Sequence, residues 1–182
     1  IICELAKRSY RIGIGKLILS LGRRTHLLSS PVEPRERQGE RASFLFHRFS
    51  PALAQLALHQ TKKLNRFNEH RRSLASLYAN ALKNSRFRLP EQLDGMDPIF
   101  LRYAIRHPER ERIMQEARRQ NIFLGDWYAT AIAPADVNLE RICYRSCANA
   151  EASAKEIINL PTDIHMTPKD VKRVLALLEP FL

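Results

Sequence analysis

The sequence predicts an α+β domain in which one long helix lies beside a small sheet. The helix is predicted from Ser50 to about Asn84, because a Ser-Pro pair opens it and apolar residues then recur every three or four positions. Three short extended segments follow at 99–106, 122–124 and 158–160. Helical patterns separate them, so the elements form a layered α+β domain.

One face of the predicted long helix is mostly apolar. Its nine positions step by three and four residues: Leu53, Leu56, Gln60, Leu64, Phe67, Arg71, Leu74, Tyr78 and Leu82. At 1.5 Å per residue the helix would be roughly 50 Å long, which exceeds the width of a small domain. We therefore expect it to extend beyond the domain that it helps to build.

The elements after this helix have clear local signals. Residues Ile99 to Arg106 alternate as a half-buried strand does, and a helix is predicted to begin at Pro108 and to be terminated by Asn121. No regular pattern covers Asp126 to Arg145, which predicts a long loop. Ala148 to about Ile157 is predicted to be helical, and Thr167 begins a last helix with a pattern close to a capping box.

The first 41 residues differ in composition from the rest. Residues 1–22 combine apolar and basic side chains and predict a basic amphipathic helical segment. Residues 23–41 are rich in Ser, Pro, Arg and Glu, which indicates an exposed linker. We therefore divide the chain at residue 42, into 1–41 and a domain of 42–182. The first segment could lie on an anionic membrane surface or pack against a domain outside this chain.

The chain is strongly basic, with 30 Lys and Arg against 19 Asp and Glu, a net charge of +11 and a pI near 10.1. Such a charge indicates nucleic acid, an anionic membrane or a phosphate-bearing ligand as a partner. Nucleic acid is the weakest of these, because aromatic residues are not interleaved with the basic ones in a stacking pattern.

Three cysteines, an odd number in a chain without a secretory signal, favour a reduced cytoplasmic setting. Cys143 and Cys147 lie four residues apart, but no cluster of His or Cys supplies further zinc ligands, so no metal site is predicted. No apolar run approaches the ~20 residues of a membrane span. The first residue is Ile1, and we expect the chain to be a piece of a longer protein.

Five segments of the domain stand out in order: Arg48 to Phe67, Phe100-Leu101-Arg102-Tyr103, Gly125-Asp126-Trp127-Tyr128, Cys147 to Glu151, and Asn159-Leu160-Pro161-Thr162 with Thr167 to Val171. Together they resemble the small C-terminal domain of the DegT/DnrJ/StrS family of pyridoxal-phosphate aminotransferases, which often act on nucleotide sugars. The resemblance covers roughly residues 44–182. It implies the small domain of a fold-type I enzyme, with a long helix beside a three-stranded antiparallel sheet and flanking helices.

The same resemblance implies that half of the enzyme is missing. In this family a large N-terminal domain carries the lysine that binds pyridoxal 5'-phosphate, and this lysine would lie upstream of Ile1. The chain then contains no catalytic residue and should be inactive alone. The complete enzyme would be a cytoplasmic homodimer that aminates a nucleotide sugar in polysaccharide or cell-surface glycan biosynthesis.

The resemblance also implies site residues. Arg48 and Ser50 match the family segment that reaches the cofactor phosphate, although Arg48 could equally be a surface arginine paired with a carboxylate. Physical chemistry also favours an anion there, because a helix N-terminus offers free N–H groups. Trp127 and Tyr128 are candidates for the substrate side of the pocket, or could instead fill the core.

Two departures from the family pattern leave other interpretations open. Phe46 stands where the family has an asparagine that reaches the cofactor phosphate, and Ala133 replaces a histidine before Pro134. A degenerate, non-catalytic relative with a structural role is consistent with both changes. The other alternative is a basic module that docks on a membrane, on nucleic acid or on another partner through residues 1–41 and its arginine-rich faces.

Overall fold

The computed structural model describes residues 14–25, 32–43, 45–46 and 48–182. In these ranges the helices are α1 (Ile14–Arg24), α2 (Pro51–Thr61), α3 (Leu64–Leu82), α4 (Arg110–Arg119), α5 (Ala148–Glu156) and α6 (Pro168–Leu178), and the strands are β1 (Tyr103–Arg106) and β2 (Ile157–Leu160). Short 3-10 helices cover Glu36–Gln38 and Glu179–Phe181. Two compact units result, one with the described residues up to Phe46 and Asp136–Cys143, the other with His47–Ala135 and Tyr144–Leu182.

The first unit contains α1 and a polar segment that pairs with a distant part of the chain. The Arg37 guanidinium lies 3.1 Å from a carboxylate oxygen of Asp136, and the Arg37 carbonyl accepts a 2.7 Å hydrogen bond from the Asn138 N–H. Helix α1 covers the end of the amphipathic segment that we predicted over 1–22, and residues 1–13 lie outside the described residues. The domain boundary at residue 42 stays a prediction.

The core of the second unit forms where α3, the two strands and α6 meet. Its fully buried side chains include Leu74, Tyr78, Leu82, Ile105, Ile113, Ile158, Leu160, Val171, Leu177 and Leu178. The Tyr78 ring stacks on Tyr103 at a centroid distance of 5.8 Å, and its hydroxyl donates to the Pro161 carbonyl at 3.1 Å. Burial raises the pKa of this hydroxyl, which therefore stays a hydrogen-bond donor.

The α+β architecture is confirmed, but the prediction of three strands is wrong in detail. The described sheet has two antiparallel strands, with Tyr103 opposite Leu160 and Arg106 opposite Ile157. The segment 122–124, which we predicted as a strand, is not one, and its first residue closes the end of α4 through the 2.8 Å hydrogen bond from the Ile122 N–H to the Ala117 carbonyl. Only Gly125 reaches β2, as an isolated bridge.

The end of α4 has the geometry of a Schellman motif. Asn121 adopts a φ of +53°, and its N–H bonds to the Arg118 carbonyl at 3.2 Å while the next N–H reaches Ala117. Asparagine tolerates this left-handed conformation better than most residues. The prediction that Asn121 terminates the helix is confirmed.

The prediction of one continuous helix from Ser50 to Asn84 is also wrong. Helix α2 ends at Thr61 and α3 begins at Leu64, with a tight turn in which the Lys63 N–H bonds to the Gln60 carbonyl at 3.0 Å. The Thr61 hydroxyl donates back to the Ala57 carbonyl at 2.9 Å, a contact that bends helices. No residue of α2 is buried, so no packing in the described part of the chain holds the two helices in line.

The last helix begins as the sequence predicts. The Thr167 hydroxyl accepts the Asp170 N–H, and the Asp170 carboxylate accepts the Thr167 N–H at 2.8 Å, so the capping box is complete. The alanine-rich helix is confirmed as α5, and the predicted long loop from Asp126 to Arg145 contains no helix or strand.

Because Leu74 is fully buried and Leu56 is half exposed, the two leucines should differ in their effect on stability. We expect Leu74→Ala to lower the free energy of unfolding by about 2–5 kcal/mol, since it leaves a cavity in the core. The matched change Leu56→Ala in α2 should alter it by less than about 0.5 kcal/mol. Urea denaturation of both variants measures this, and equal losses would contradict the described packing.

Candidate functional site

The predicted cofactor-binding residues lie at the start of α2. Ser50 is the N-cap: its hydroxyl accepts the Leu53 N–H at 3.4 Å, and its carbonyl accepts the Ala54 N–H at 2.9 Å. Pro51 has no N–H to offer. The Arg48 side chain is exposed, and no carboxylate of the described residues forms an ion pair with it.

These residues fit one side of a phosphate group. The cap consumes the Leu53 N–H, so the first turn of α2 leaves only the Ala52 N–H, together with the Arg48 guanidinium. A phosphate here would need further donors in addition to these groups. Ser50 serves first as a helix cap, and its hydroxyl hydrogen remains free to donate.

The predicted substrate residues form a stacked pair. The Trp127 and Tyr128 rings lie 5.7 Å apart at an interplanar angle of 19°, and more than half of each side chain is exposed. The Arg102 guanidinium lies over the Trp127 ring, 4.1 Å from its centroid, which is a cation–π contact. The prediction that these aromatics could fill the core is therefore wrong, because both rings face solvent in this unit.

The position of this pair is set by β2. The Asn159 side-chain N–H donates to the Trp127 carbonyl, and the Asn159 backbone exchanges two hydrogen bonds of 2.8 and 2.9 Å with Gly125. A Cβ atom at Gly125 would lie 3.3 Å from the Arg102 guanidinium. Because glycine has no side chain, the guanidinium has room at this position. Asn159 is buried, and its three bonds tie the loop to the sheet.

A cleft of about 410 Å³ is lined by Arg102, the residue that stacks on Trp127, although neither ring of the aromatic pair lines it. Two arginines contribute to its wall, Arg102 before β1 and Arg71 from α3. Its remaining lining residues are Leu101, Phe123, Leu124, Gly125, Asn159, Leu160, Pro161, Thr162 and Asp163. A concave site with a few polar groups on an apolar wall is typical of small-molecule binding.

The structure thus brings Trp127 and Tyr128 together but links them by no described contact to Arg48 and Ser50. Sequence reasoning missed the cleft arginines. A signal for Arg71 was present, since it is a charged residue on the otherwise apolar face of the long predicted helix. Arg102 lay inside a quoted family segment, but nothing local in the sequence indicates its contact with Trp127.

The fourth quoted segment, Cys147 to Glu151, surrounds a single carboxylate. One Glu151 oxygen accepts from the Tyr144 hydroxyl at 2.8 Å, the Ser146 hydroxyl at 2.9 Å and the Cys147 N–H at 3.2 Å. These bonds, that from Tyr144 first, lower the pKa of Glu151 below its usual 4.5. The carboxylate thereby caps the start of α5 and fixes the end of the preceding loop.

Comparison with known proteins identifies the fold and the family. The sequence profile of the DegT/DnrJ/EryC1/StrS aminotransferase family matches residues 36–179. The chain belongs to this family. A search of curated protein sequences finds no significant match to it.

Several solved structures share the fold of this chain. A DegT/DnrJ/EryC1/StrS aminotransferase from Brucella abortus is 20% identical, with a TM-score of 0.57 over 68% of this chain and 33% of its own. DesV of S. venezuelae is 17% identical, with a TM-score of 0.64 over 81% and 44%. The sugar aminotransferase CalS13 of Micromonospora echinospora is 16% identical, with a TM-score of 0.60 over 69% and 33%. The chain therefore spans less than half the length of each of these three proteins.

Over the ranges that the structure describes, no three His, Cys, Asp or Glu side chains are grouped so that they could hold a metal ion. Within the same ranges, no helix has both the length and the apolarity needed to cross a bilayer.

The lowered pKa of Glu151 makes a pH-dependent contribution to stability. A carboxylate whose pKa is lower in the folded state stabilises the fold fully when the pH is above its unfolded-state pKa. This stabilisation is lost as the pH falls through its folded-state pKa. We expect the free energy of unfolding of wild type to exceed that of Glu151→Gln at neutral pH. The difference between the two should become smaller as the pH falls below about 4. Urea unfolding across this range measures it.

Tyr144→Phe removes the main hydrogen bond to the Glu151 carboxylate. In the Tyr144→Phe background, the stability difference at neutral pH between Glu151 and Glu151→Gln should therefore be smaller. If wild type and Glu151→Gln lost stability in parallel on acidification, the described hydrogen bonds would not stabilise the charged form.

Proposed function

We propose that this chain is the small-domain part of a pyridoxal-phosphate-dependent aminotransferase that acts on a nucleotide sugar in glycan biosynthesis. The observation that supports this most is the family match over residues 36–179. The partial coverage of the solved enzymes, 33–44% of their length, supports the view that a large domain completes the site.

In this proposal the chain supplies contacts for the cofactor and the substrate. Arg48 and the first turn of α2 would hold part of the cofactor phosphate, and the Ser50 hydroxyl could donate to it while it caps the helix. Trp127 and Tyr128 would line the substrate side of the pocket. When bound, the cofactor supplies an electron-withdrawing ring that eases removal of a proton from the amino donor.

We propose that the base that moves this proton lies outside the described residues. Lys62 and Lys63 lie in the turn between α2 and α3, and no lysine lines the cleft beside Trp127. We therefore infer that the lysine belongs to a large domain and that this chain alone does not transfer amino groups. A homodimer and a cytoplasmic location remain parts of the same proposal.

The proposal is tested by restoring the missing part. We expect the gene region before the Ile1 codon to encode a domain with a cofactor-binding lysine. This domain and the 182-residue chain, produced together, should transfer an amino group from glutamate to a keto nucleotide sugar, and the chain alone should not. Cofactor retention on gel filtration gives a second readout. Activity of the chain alone, or an upstream region without such a domain, would refute the proposal.

A second function is favoured by the exposed apolar side of α1. Ile14, Leu17 and Leu21 recur at helical spacing on this helix, and half or more of each side chain is exposed. Arg24 follows at its basic end. We propose that α1 can contact an anionic membrane surface peripherally, with its apolar side in the interface.

Vesicle sedimentation tests this membrane contact. The chain should bind phosphatidylserine-containing vesicles more strongly than phosphatidylcholine vesicles, and salt should weaken the binding. Leu17→Glu should reduce it about tenfold or more, since it removes buried apolar area and adds a negative charge. Leu58→Glu in exposed α2 is the matched control, and an equal loss in that variant would contradict a role for α1.

A further inference from the structure

Two arginines converge on the cleft beside Trp127, and neither has a carboxylate partner within the described residues. Seven other arginines of the described chain do form such ion pairs: Arg35, Arg37, Arg72, Arg110, Arg112, Arg119 and Arg141. Among the arginines without one, Arg71 and Arg102 are distinguished because they line one concave site. Two guanidinium groups without carboxylate partners in one cleft favour the binding of an anion there.

Arg71 is the less exposed of the two. Its Nε–H is buried and has no hydrogen-bond partner, and its one described bond is a long one of 3.3 Å from Nη1 to the Asn68 side chain. A buried N–H on a charged group is costly when it is left unpaired. The position is fixed, because Leu74 lies one turn later on α3 and is fully buried in the core.

Arg102 is exposed, but its guanidinium is held in place. It lies 4.1 Å from the centroid of the Trp127 ring and close over Gly125, where a side chain would crowd it. Stacking on an aromatic face leaves the N–H groups at the edge of the guanidinium free. These groups can bind a carboxylate or phosphate with two parallel hydrogen bonds.

The rest of the wall determines what else the ligand would need. Leu101, Phe123 and Leu160 supply apolar surface. One carboxylate, that of Asp163, also lines the cleft, but one of its oxygens accepts the His165 N–H at 2.9 Å and it forms no ion pair with either arginine. With two guanidinium groups and one carboxylate, the cleft keeps a net positive charge.

We propose that this cleft binds a small organic oxyanion, a carboxylate or a phosphate monoester, whose apolar part lies on the leucine and phenylalanine wall. The guanidinium groups of Arg71 and Arg102 bind the oxyanion. The volume of about 410 Å³ lies within the range of small-molecule sites. The proposal does not rest on the aminotransferase function, because binding is measured on this chain without cofactor.

Titration by heteronuclear NMR tests the proposal on the isotope-labelled 182-residue chain. The probes are phenyl phosphate, benzoate and the neutral benzyl alcohol. We expect saturable binding of at least one anion, with shifts at the Gly125 amide and the Trp127 indole, and no binding of the alcohol. The anion with the lower dissociation constant, phenyl phosphate or benzoate, indicates whether the site prefers a phosphate or a carboxylate. No saturable anion binding, or equal binding of the alcohol, would overturn the proposal.

Matched arginine variants separate a specific site from general attraction by a basic protein. Arg102→Gln should weaken binding of the preferred anion about tenfold or more, because it removes charge-assisted hydrogen bonds. Arg119→Gln removes the same charge from the exposed side of α4 and should change the dissociation constant less than about twofold. Equal effects of the two variants, or none from Arg102→Gln, would refute the site.

Arg71→Gln should weaken binding to a similar degree. Since Arg71 is partly buried, circular dichroism first establishes that this variant folds. If it does not fold, the exposed Arg102 decides the test, because its side chain is outside the core.

Discussion

The burial of one face of α3 against the sheet and α6 holds the second unit together. Leu74, Tyr78 and Leu82 fill this contact, and the Tyr78 hydroxyl also bonds to the carbonyl of Pro161 just after β2. The same contact therefore sets the distance between α3 and the end of β2. Both walls of the cleft depend on it, because Arg71 projects from α3 one turn before Leu74.

Helices α2 and α3 differ in how much of their surface packs against the core, and not in their capacity to form a helix. Both carry leucines, but α3 buries its apolar face whereas every residue of α2 is exposed. Helices in proteins gain most of their stability from packing of an apolar face. In the proposed complete enzyme a large domain would supply that packing, and α2 would then present Arg48 and Ser50 to the cofactor.

The arginines that give the chain its high positive charge have different structural roles. Many arginines pair with carboxylates on the surface, where each pair adds little to stability. Arg102 is used differently, since it stacks on Trp127 and leaves its hydrogen-bonding edge free in a cleft. A net charge of +11 therefore does not by itself indicate the partner, because the placement of two guanidinium groups matters more than the total.

The sequence by itself determined the elements whose signals are local. The capping box at Thr167 and the end of α4 at Asn121 depend on hydrogen bonds within a few residues, and both were predicted. The family resemblance also suggested Trp127 and Tyr128 as substrate-side residues, and this stays a prediction. Only the tertiary structure showed that the long helix breaks after Thr61, since α2 buries no residue whereas α3 is anchored in the core through Leu74, Tyr78 and Leu82.

The same holds for the third strand and for the cleft. Residues 122–124 have the composition of a strand, but the end of α4 uses the Ile122 N–H, so only Gly125 pairs with β2. The cleft joins Arg71, Arg102 and Asn159 from separate segments of the chain. Local sequence patterns extend over one or two turns, and contacts between distant segments are settled only when the core packs.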